Sequence, residues 1–386
     1  MEAASHRAPM SEIVGLFTDV LPAGGVQRAS RHVAAVTARF AAERGMAARF
    51  LSLNDPHGLH TVRVGSLEFS ATGYGGSKAK FVLAALQAAG QRPAMVMALH
   101  PHLSPIVSAM RARSGNFRSI IFTHGIEVWK PLGWPRGASL RRADLVLAPS
   151  ADTVQHLISQ QHILPAKVQR LPWGLDPDFE ARIASSGAVA PPPNFPRTGR
   201  IVLAVGRWDR AEQYKGADTL IAALPNVLQA APDVSLALVG DGDDRPRLEQ
   251  LARDLKVSER AHFLHGLTLE QLFACYSGCD VFALPSRGEG FGLVFLEAMA
   301  HAKPVIGGAH GGIPDIVEDG VTGLLVPHGN VERLAGALES LFANPDRAKE
   351  MGARGRERVE KHFSFAQFQL RLTKILGDVL AQQHRP

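Results

Sequence analysis

The feature that most constrains this chain is a rhythm, played twice: short apolar runs that close on turn residues, each followed by a longer amphipathic stretch. Short apolar runs of this kind are strands buried on both faces, and the stretches between them are the crossovers that parallel strands need. In the first half the spacing predicts strands at 13–17, 48–53, 95–99, 119–123, 145–148 and 168–171, with helices at 26–43, 78–89, 104–113 and 151–160. IVLAVG (201–206), SLALVG (235–240), AHFLHG (261–266), DVFALP (280–285) and PVIGG (304–308) then restart the pattern. After Val326 the chain reads as helix to its end, with a last amphipathic helix from about 364 to 381. Between the halves lies 184–200, ending APPPNFPRTGR, a Pro-rich stretch with no apolar period that marks a boundary. The expected organisation is therefore an α/β chain with two doubly wound domains, 1–183 and 201–363, joined by the 184–200 linker. A closing helix, 364–386, is expected to turn back toward the first domain. A short echo, DLVLAPS (144–150) and DVFALPS (280–286), agrees with two related halves.

Composition narrows the rest. With 386 residues, 46% hydrophobic and 20% charged, the chain is neither disordered nor fibrous and can bury two cores. No apolar run reaches membrane-spanning length, and the opening MEAASHRAPMSE has no secretory apolar core, so a cytoplasmic protein is expected. The two cysteines, Cys275 and Cys279, make neither a disulfide framework nor a metal knuckle and read as buried thiols on a helix. The net charge of +6 is uneven: residues 1–198 hold 21 Lys and Arg against 12 Asp and Glu, residues 199–386 hold 21 against 24. A basic half suggests an anionic partner. Aromatics are only 6% and form no strip with the basic residues, which excludes nucleic acid. An acceptor carrying phosphate, or an anionic membrane surface, fits better; plain solubility is the simpler alternative.

Three segments carry chemistry. In SRGEGFGLVFLEAMA (286–300), Glu289 sits in a Gly-bracketed turn after a strand, and Glu297 follows eight residues later on a helix. Eight helical residues rise about 12 Å, the span from a sugar to a ribose across a diphosphate. The helix start between them, Gly290, Phe291, Gly292 and Leu293, offers unpaired backbone N–H groups and a positive dipole end to an anion. Glu297 interrupts an apolar stretch, so it needs a buried partner. In VGRWDRAEQYKG (205–216), Arg207 follows a strand end and Lys215 opens the next helix, a cation pair suited to a leaving diphosphate; alone, it equally fits two surface cations. In LPAGGVQR (21–28), Gly24 and Gly25 let backbone approach a phosphate between a strand and a long helix, unless they form only a tight turn. The segment is not GxGxxG, and no acidic residue ends the next strand, which disfavours a nicotinamide site.

The string VGR…KG, LVGDGDDRPRLEQLA, FLHGLTLEQLFACYSGCDVFALPS, EGFGLVFLE and GGIPDIVEDGVTGLLV resembles, in that order, the retaining GT-B glycosyltransferases of family 4, the glycosyl transferases group 1. The first half resembles them more thinly, through AGGVQR, FTHGIEVW and LPWGLDPDF. The resemblance implies two Rossmann-like domains facing each other across a cleft and transfer of a hexosyl group from a nucleotide diphosphate sugar to an acceptor hydroxyl, with retention and without a metal or other cofactor. It implies that Arg207 and Lys215 hold the donor diphosphate, that Glu289 touches the transferred sugar and Glu297 the ribose. Phe291, Gly292 and Leu293 would offer amides, Gly24 and Gly25 close over the diphosphate, and His124 lines the cleft near the sugar. His100 and His102 share a similar strand end and read as cleft-lining, with no third ligand for a metal. Two departures stand out: Trp173 where the family often has Asn, and a longer, more polar loop between Arg207 and Lys215.

The acceptor is expected against the first half, as a saccharide or a lipid-linked molecule in cell-surface polysaccharide or glycolipid assembly. Arg28, Arg31, Arg39 and Arg44 on the first long helix, with Lys78 and Lys80 on the next, are expected to make a basic face for peripheral attachment to the inner face of the cell membrane. Two competing readings are a nucleotide-sugar epimerase or hydrolase of the same fold, and a non-catalytic nucleotide-sugar binding protein.

Overall fold

The computed structural model describes residues 11–185 and 190–382. The opening segment 1–10 and residues 186–189 of the expected linker lie outside the described residues. The chain divides into two compact units, Met1–Asp178 with Phe365–Pro386, and Phe179–Ser364. The division falls within a helix at Pro177–Ala184, just ahead of the Pro-rich stretch.

The first unit is built on one sheet, in chain order β1 (Glu12–Phe17), β2 (Ala47–Ser52), β3 (Gly58–Val64), β4 (Leu67–Gly73), β5 (Met95–Ala98), β6 (Arg118–Phe122), β7 (Leu145–Ala148) and β8 (Val168–Arg170). Their spatial order is β3-β4-β2-β1-β5-β6-β7-β8, parallel throughout except for the β3–β4 hairpin. Strand β1 is fully buried and pairs with β2 on one side and β5 on the other, Ile13 opposite Ala48 and Met95. The strand order reverses there, so the loops leaving β1 and β5 part and open a crevice at the strands' carboxyl ends. Gly24 and Gly25 lie on the first of these loops, His100 and His102 on the second, and His124 follows β6.

The second unit repeats the scheme with β9 (Ile201–Val205), β10 (Ser235–Val239), β11 (Ala261–Leu264), β12 (Val281–Leu284), β13 (Val305–Gly308) and β14 (Gly323–Val326), all parallel in the order β11-β10-β9-β12-β13-β14. Its reversal lies between β9 and β12, whose outgoing loops carry Arg207 to Lys215 and Glu289.

The sequence reading missed the β3–β4 hairpin, strand β14 and the helices Arg136–Arg142 and Pro177–Ala184. The β3–β4 hairpin alternates exposed and covered residues around a Gly65-Ser66 turn, and Gly65 sits at φ +57°. That is a two-residue hairpin signal in plain view. Strand β14 is only four residues long, and the helix Arg136–Arg142 only seven, too short to show a period. The echo between 144–150 and 280–286 also has a local rather than a topological cause. Strand β12 stands beside the first strand of its unit, whereas β7 stands three places from β1. What the two share is the aspartate: Asp144 accepts the Ser119 amide at 2.8 Å and Asp280 the Ile201 amide at 2.7 Å, each closing the start of a neighbouring strand.

The closing helix, Phe365–Ala381, belongs to the first unit. His32 meets Phe365 edge-on at 5.2 Å, and Phe368 lies 5.9 Å from Trp173. Trp173, the departure from the family pattern, is buried and continues a column of rings: 5.5 Å to His124, then 5.9 Å on to His100 and 4.4 Å to His102. It therefore ties the strand-end histidines to the closing helix. Trp173→Ala should cost about 3–5 kcal/mol, read from the denaturant midpoint, with hydrogen-exchange protection of 365–381 falling first.

Candidate active site

The loop after β9 is shaped by close backbone approaches. Gly240 sits at φ +134° with its ideal Cβ 1.7 Å from the Gly206 carbonyl, so no other residue fits there. The GDGDD turn then straps the loop down: the Trp208 amide donates to Asp241 O at 2.8 Å, the Asp244 amide to Trp208 O at 2.9 Å, and the Arg210 amide to Asp243 Oδ1 at 2.7 Å. Asp244 in turn takes both arms of Arg247, at 2.7 and 2.6 Å. The hydrogen bond from Arg247 is the main cause that holds its carboxyl below the usual range.

This strapping brings Lys215 to the β12 loop. Its ammonium is 3.1 Å from Glu289 Oε1 and 3.5 Å from Glu212 Oε2, and it lies 5.9 Å from the Tyr214 ring centroid. Tyr214 lies flat on Gly288, whose ideal Cβ would be 2.7 Å from the ring, and accepts the Arg287 amide at 2.8 Å. On the far side of Glu289, its carbonyl takes the Gly312 amide at 2.8 Å, and a Cβ at Gly312 would strike Gly290 O at 2.4 Å. Glu289 is thus fixed from both neighbouring loops. Arg207 is 67% exposed and reaches Asp209 at 3.1 Å and the Glu212 carboxylate. Glu212, which the sequence reading passed over, touches both expected diphosphate cations.

The helix Leu293–Ala300 begins at Gly292, φ +101°, with no side chain capping it, so its first amides keep their donor capacity toward the β12 loop. Phe291 is buried edge-on against Phe363 at 5.9 Å. Glu297 lies on this helix and has the buried partner that its apolar surroundings demand. It is 2% exposed and takes the Tyr276 hydroxyl at 2.6 Å, so the partner demanded by its burial is a phenol. His301 stacks on Tyr276 at 5.5 Å and donates from Nδ1 to Glu297 O at 2.9 Å.

In the first unit, Gly24 stands at φ +148° and opens the helix Gly25–Ala42 with no side-chain cap and no acidic residue in its first turn. Asp55, also missed, builds that loop: it accepts the Val20 amide at 2.8 Å, the Leu21 amide at 3.2 Å and the Ser52 hydroxyl at 2.6 Å. His124 points Nε2 at Leu99 O, 2.7 Å away, and since a carbonyl only accepts, Nε2 carries the proton. Burial, followed by the neighbouring His124, His102 and Arg136, pushes the His100 imidazole down to about 3. Among the described residues, no group of three His, Cys, Asp or Glu is placed to hold a metal ion. Cys275 and Cys279 are buried, their thiols pushed up to about 12 by that burial.

The arginines of the expected basic face have partners within the fold, while Arg39 and Arg44 remain exposed. Arg31 donates to Val20 O and Pro22 O at 2.8 and 3.0 Å, Arg28 lies 3.8 Å from Asp176, Arg39 pairs with Glu43 at 2.7 Å, and Arg44 lies 3.9 Å over Phe40. Lys78 and Lys80 are exposed.

The His301 imidazole is held down at about 4 by burial, so the unfolded chain binds the extra proton first. Stability should be full above about pH 6.5 and fall as pH drops toward 4, with His301→Phe flattening part of that slope in urea titrations.

Two family models match the chain, Glycosyltransferase Family 4 over residues 24–179 and Glycosyl transferases group 1 over 189–358. The chain is 34% identical over 291 residues to the GDP-mannose-dependent alpha-(1-6)-phosphatidylinositol monomannoside mannosyltransferase of Mycolicibacterium smegmatis, covering 70% of this chain and 73% of that protein. It is 33% identical over 285 residues to the GDP-mannose-dependent monoacylated alpha-(1-6)-phosphatidylinositol monomannoside mannosyltransferase of Corynebacterium glutamicum, again covering 70% and 73%. Sucrose-phosphate synthase from Thermosynechococcus elongatus has the same fold, with a TM-score of 0.76 at 24% identity over 96% of this chain and all of that one.

Proposed function

The chain belongs to the family 4 glycosyltransferases of GT-B fold, the glycosyl transferases group 1, and from that premise we propose that it moves a hexosyl group, with retention, from a nucleotide diphosphate sugar to a lipid-linked acceptor hydroxyl. It is a sugar-transferring enzyme that uses a nucleotide-sugar donor. The observation that carries the finer reading is the Lys215 ammonium held 3.1 Å from Glu289, in loops that leave β9 and β12 on either side of the sheet's reversal. GDP-mannose is the donor to test first, because both relatives named above depend on it.

In this mechanism the donor diphosphate sits against Lys215, Arg207 and the helix start at Gly290 to Leu293. The sugar C1–oxygen bond breaks toward the diphosphate, and these groups stabilise the negative charge that grows there. The acceptor oxygen bonds to C1 on the same face, and its proton passes to the leaving phosphate oxygen. Glu289 holds a sugar hydroxyl, and His124 presents its ring beside the sugar. Glu212 holds the cations in the donor-free state and gives them up to the diphosphate. The charges favour this exchange: Asp209, Glu212 and Glu289 outnumber Arg207 and Lys215, so an arriving diphosphate meets repulsion until a carboxylate withdraws.

The test is incubation with GDP-mannose and a phosphatidylinositol-type acceptor, with the product's anomeric configuration read by NMR. Retained configuration supports the proposal; an inverted product, or donor consumed equally well without acceptor, contradicts it. Glu289→Gln should lower kcat about 100-fold with little change in melting temperature. Glu212→Gln should tighten donor binding about fivefold, seen as a lower KM for the donor.

A further inference from the structure

We propose that the chain docks on an anionic lipid surface through the loop 130–137, with Trp134 as the inserting residue. Trp134 is 89% exposed, in a chain whose Trp173 and Trp208 are buried and whose Trp129 is half-buried. Exposure of so large an apolar ring needs a reason. The ring stands between Lys130 and Arg136, both exposed, in the run KPLGWPRG. A Trp flanked by cations suits the bilayer interface, where the ring sits at the headgroup level and Lys or Arg meets lipid phosphate.

The loop is held as a fixed projection. Gln161, itself buried, donates to Val128 O and Lys130 O at 2.7 and 2.6 Å and accepts the Leu132 amide at 3.0 Å. The same tie draws in the segment after Gln161, where Leu164 is 65% exposed. Lys167 donates to the Arg141 and Ala143 carbonyls at 3.3 and 3.0 Å, placing that segment against Arg141 and Arg142, both exposed. The result is two apolar tips, Trp134 and Leu164, set among cations.

A protein partner is the poorer fit. Protein interfaces are depleted of Lys and centre on an apolar core, whereas Trp134 is flanked in sequence by the exposed Lys130 and Arg136. The loop also lies beside the strand-end histidines, since Ser104, two residues past His102, donates to Arg136 O at 3.2 Å. Docking there would bring a lipid-borne hydroxyl to the first unit's loops. The inference thus extends the lipid-acceptor reading while resting on separate observations. It places the docking face on the β6 side of the sheet, apart from the first helix.

The test uses the whole chain with phosphatidylglycerol-rich vesicles, and neutral phosphatidylcholine vesicles as the control. Trp173 and Trp208 are buried and Trp129 is half-buried, so a blue shift in fluorescence that Trp134→Ala abolishes reports Trp134 entering the bilayer. The wild type should co-sediment with anionic vesicles at low salt and shift blue, and should ignore neutral ones. Trp134→Ala should lose the shift and weaken binding at least about tenfold. Lys130→Ala and Arg136→Ala should each weaken it about fivefold. Melting temperature and GDP binding should match the wild type in all three, which keeps a failure of docking apart from a failure of the transferase reading. No vesicle binding by the wild type would overturn the proposal. So would binding that all three variants retain, or Trp134-dependent self-association in sedimentation velocity without vesicle binding.

Discussion

The Lys215 ammonium, shared between Glu212 and Glu289, is the contact on which the rest of the second unit is arranged. An ammonium partly withdrawn from water needs carboxylates around it, and carboxylates set that close need the cation. Bringing them together demands that the loops leaving β9 and β12 touch. That demand explains why Gly240 has no side chain, why Gly288 lies beneath a tyrosine ring, and why Gly312 meets Gly290 backbone to backbone. The glycines serve contact between loops, and the contact serves one charge.

The same logic gives the site its chemistry. A cation balanced by carboxylates is stable by itself, and under the proposed mechanism it becomes a diphosphate seat when a carboxylate withdraws. Glu212 is placed for that exchange because it touches Lys215 and Arg207 at once, whereas Glu289 is fixed by the loops on both sides of it. In the first unit the corresponding rigidity comes from Asp55, which gathers the β1 loop so that Gly24 and an uncapped helix start face outward.

Much of this was legible in the sequence. The strand rhythm placed nearly every parallel strand, because burial on both faces leaves an unmistakable apolar run. Arg207 and Glu289 were candidates because each stands in the loop after such a run, and Lys215 because it comes just before the next helix. Glu297 shows the limit. Its position eight residues after Glu289 suggested a ligand carboxylate, and its apolar surroundings demanded a partner, but only the fold could supply Tyr276, which is 21 residues away in sequence. Arg31 shows a similar limit: composition counts charges, but whether a guanidinium faces water or a carbonyl depends on the tertiary path of residues 20–22. Glu212 and Asp55 were invisible because a single carboxylate in a polar loop has no pattern.

The most direct test of the account is calorimetric titration of GDP and UDP into the wild type and Lys215→Met. If Lys215 seats the diphosphate, one nucleotide binds the wild type, and its affinity falls about 10- to 100-fold in the variant while the fold persists by circular dichroism. Equal affinity in the two proteins would contradict the account, because the diphosphate would then rest on groups other than the one around which these loops are built.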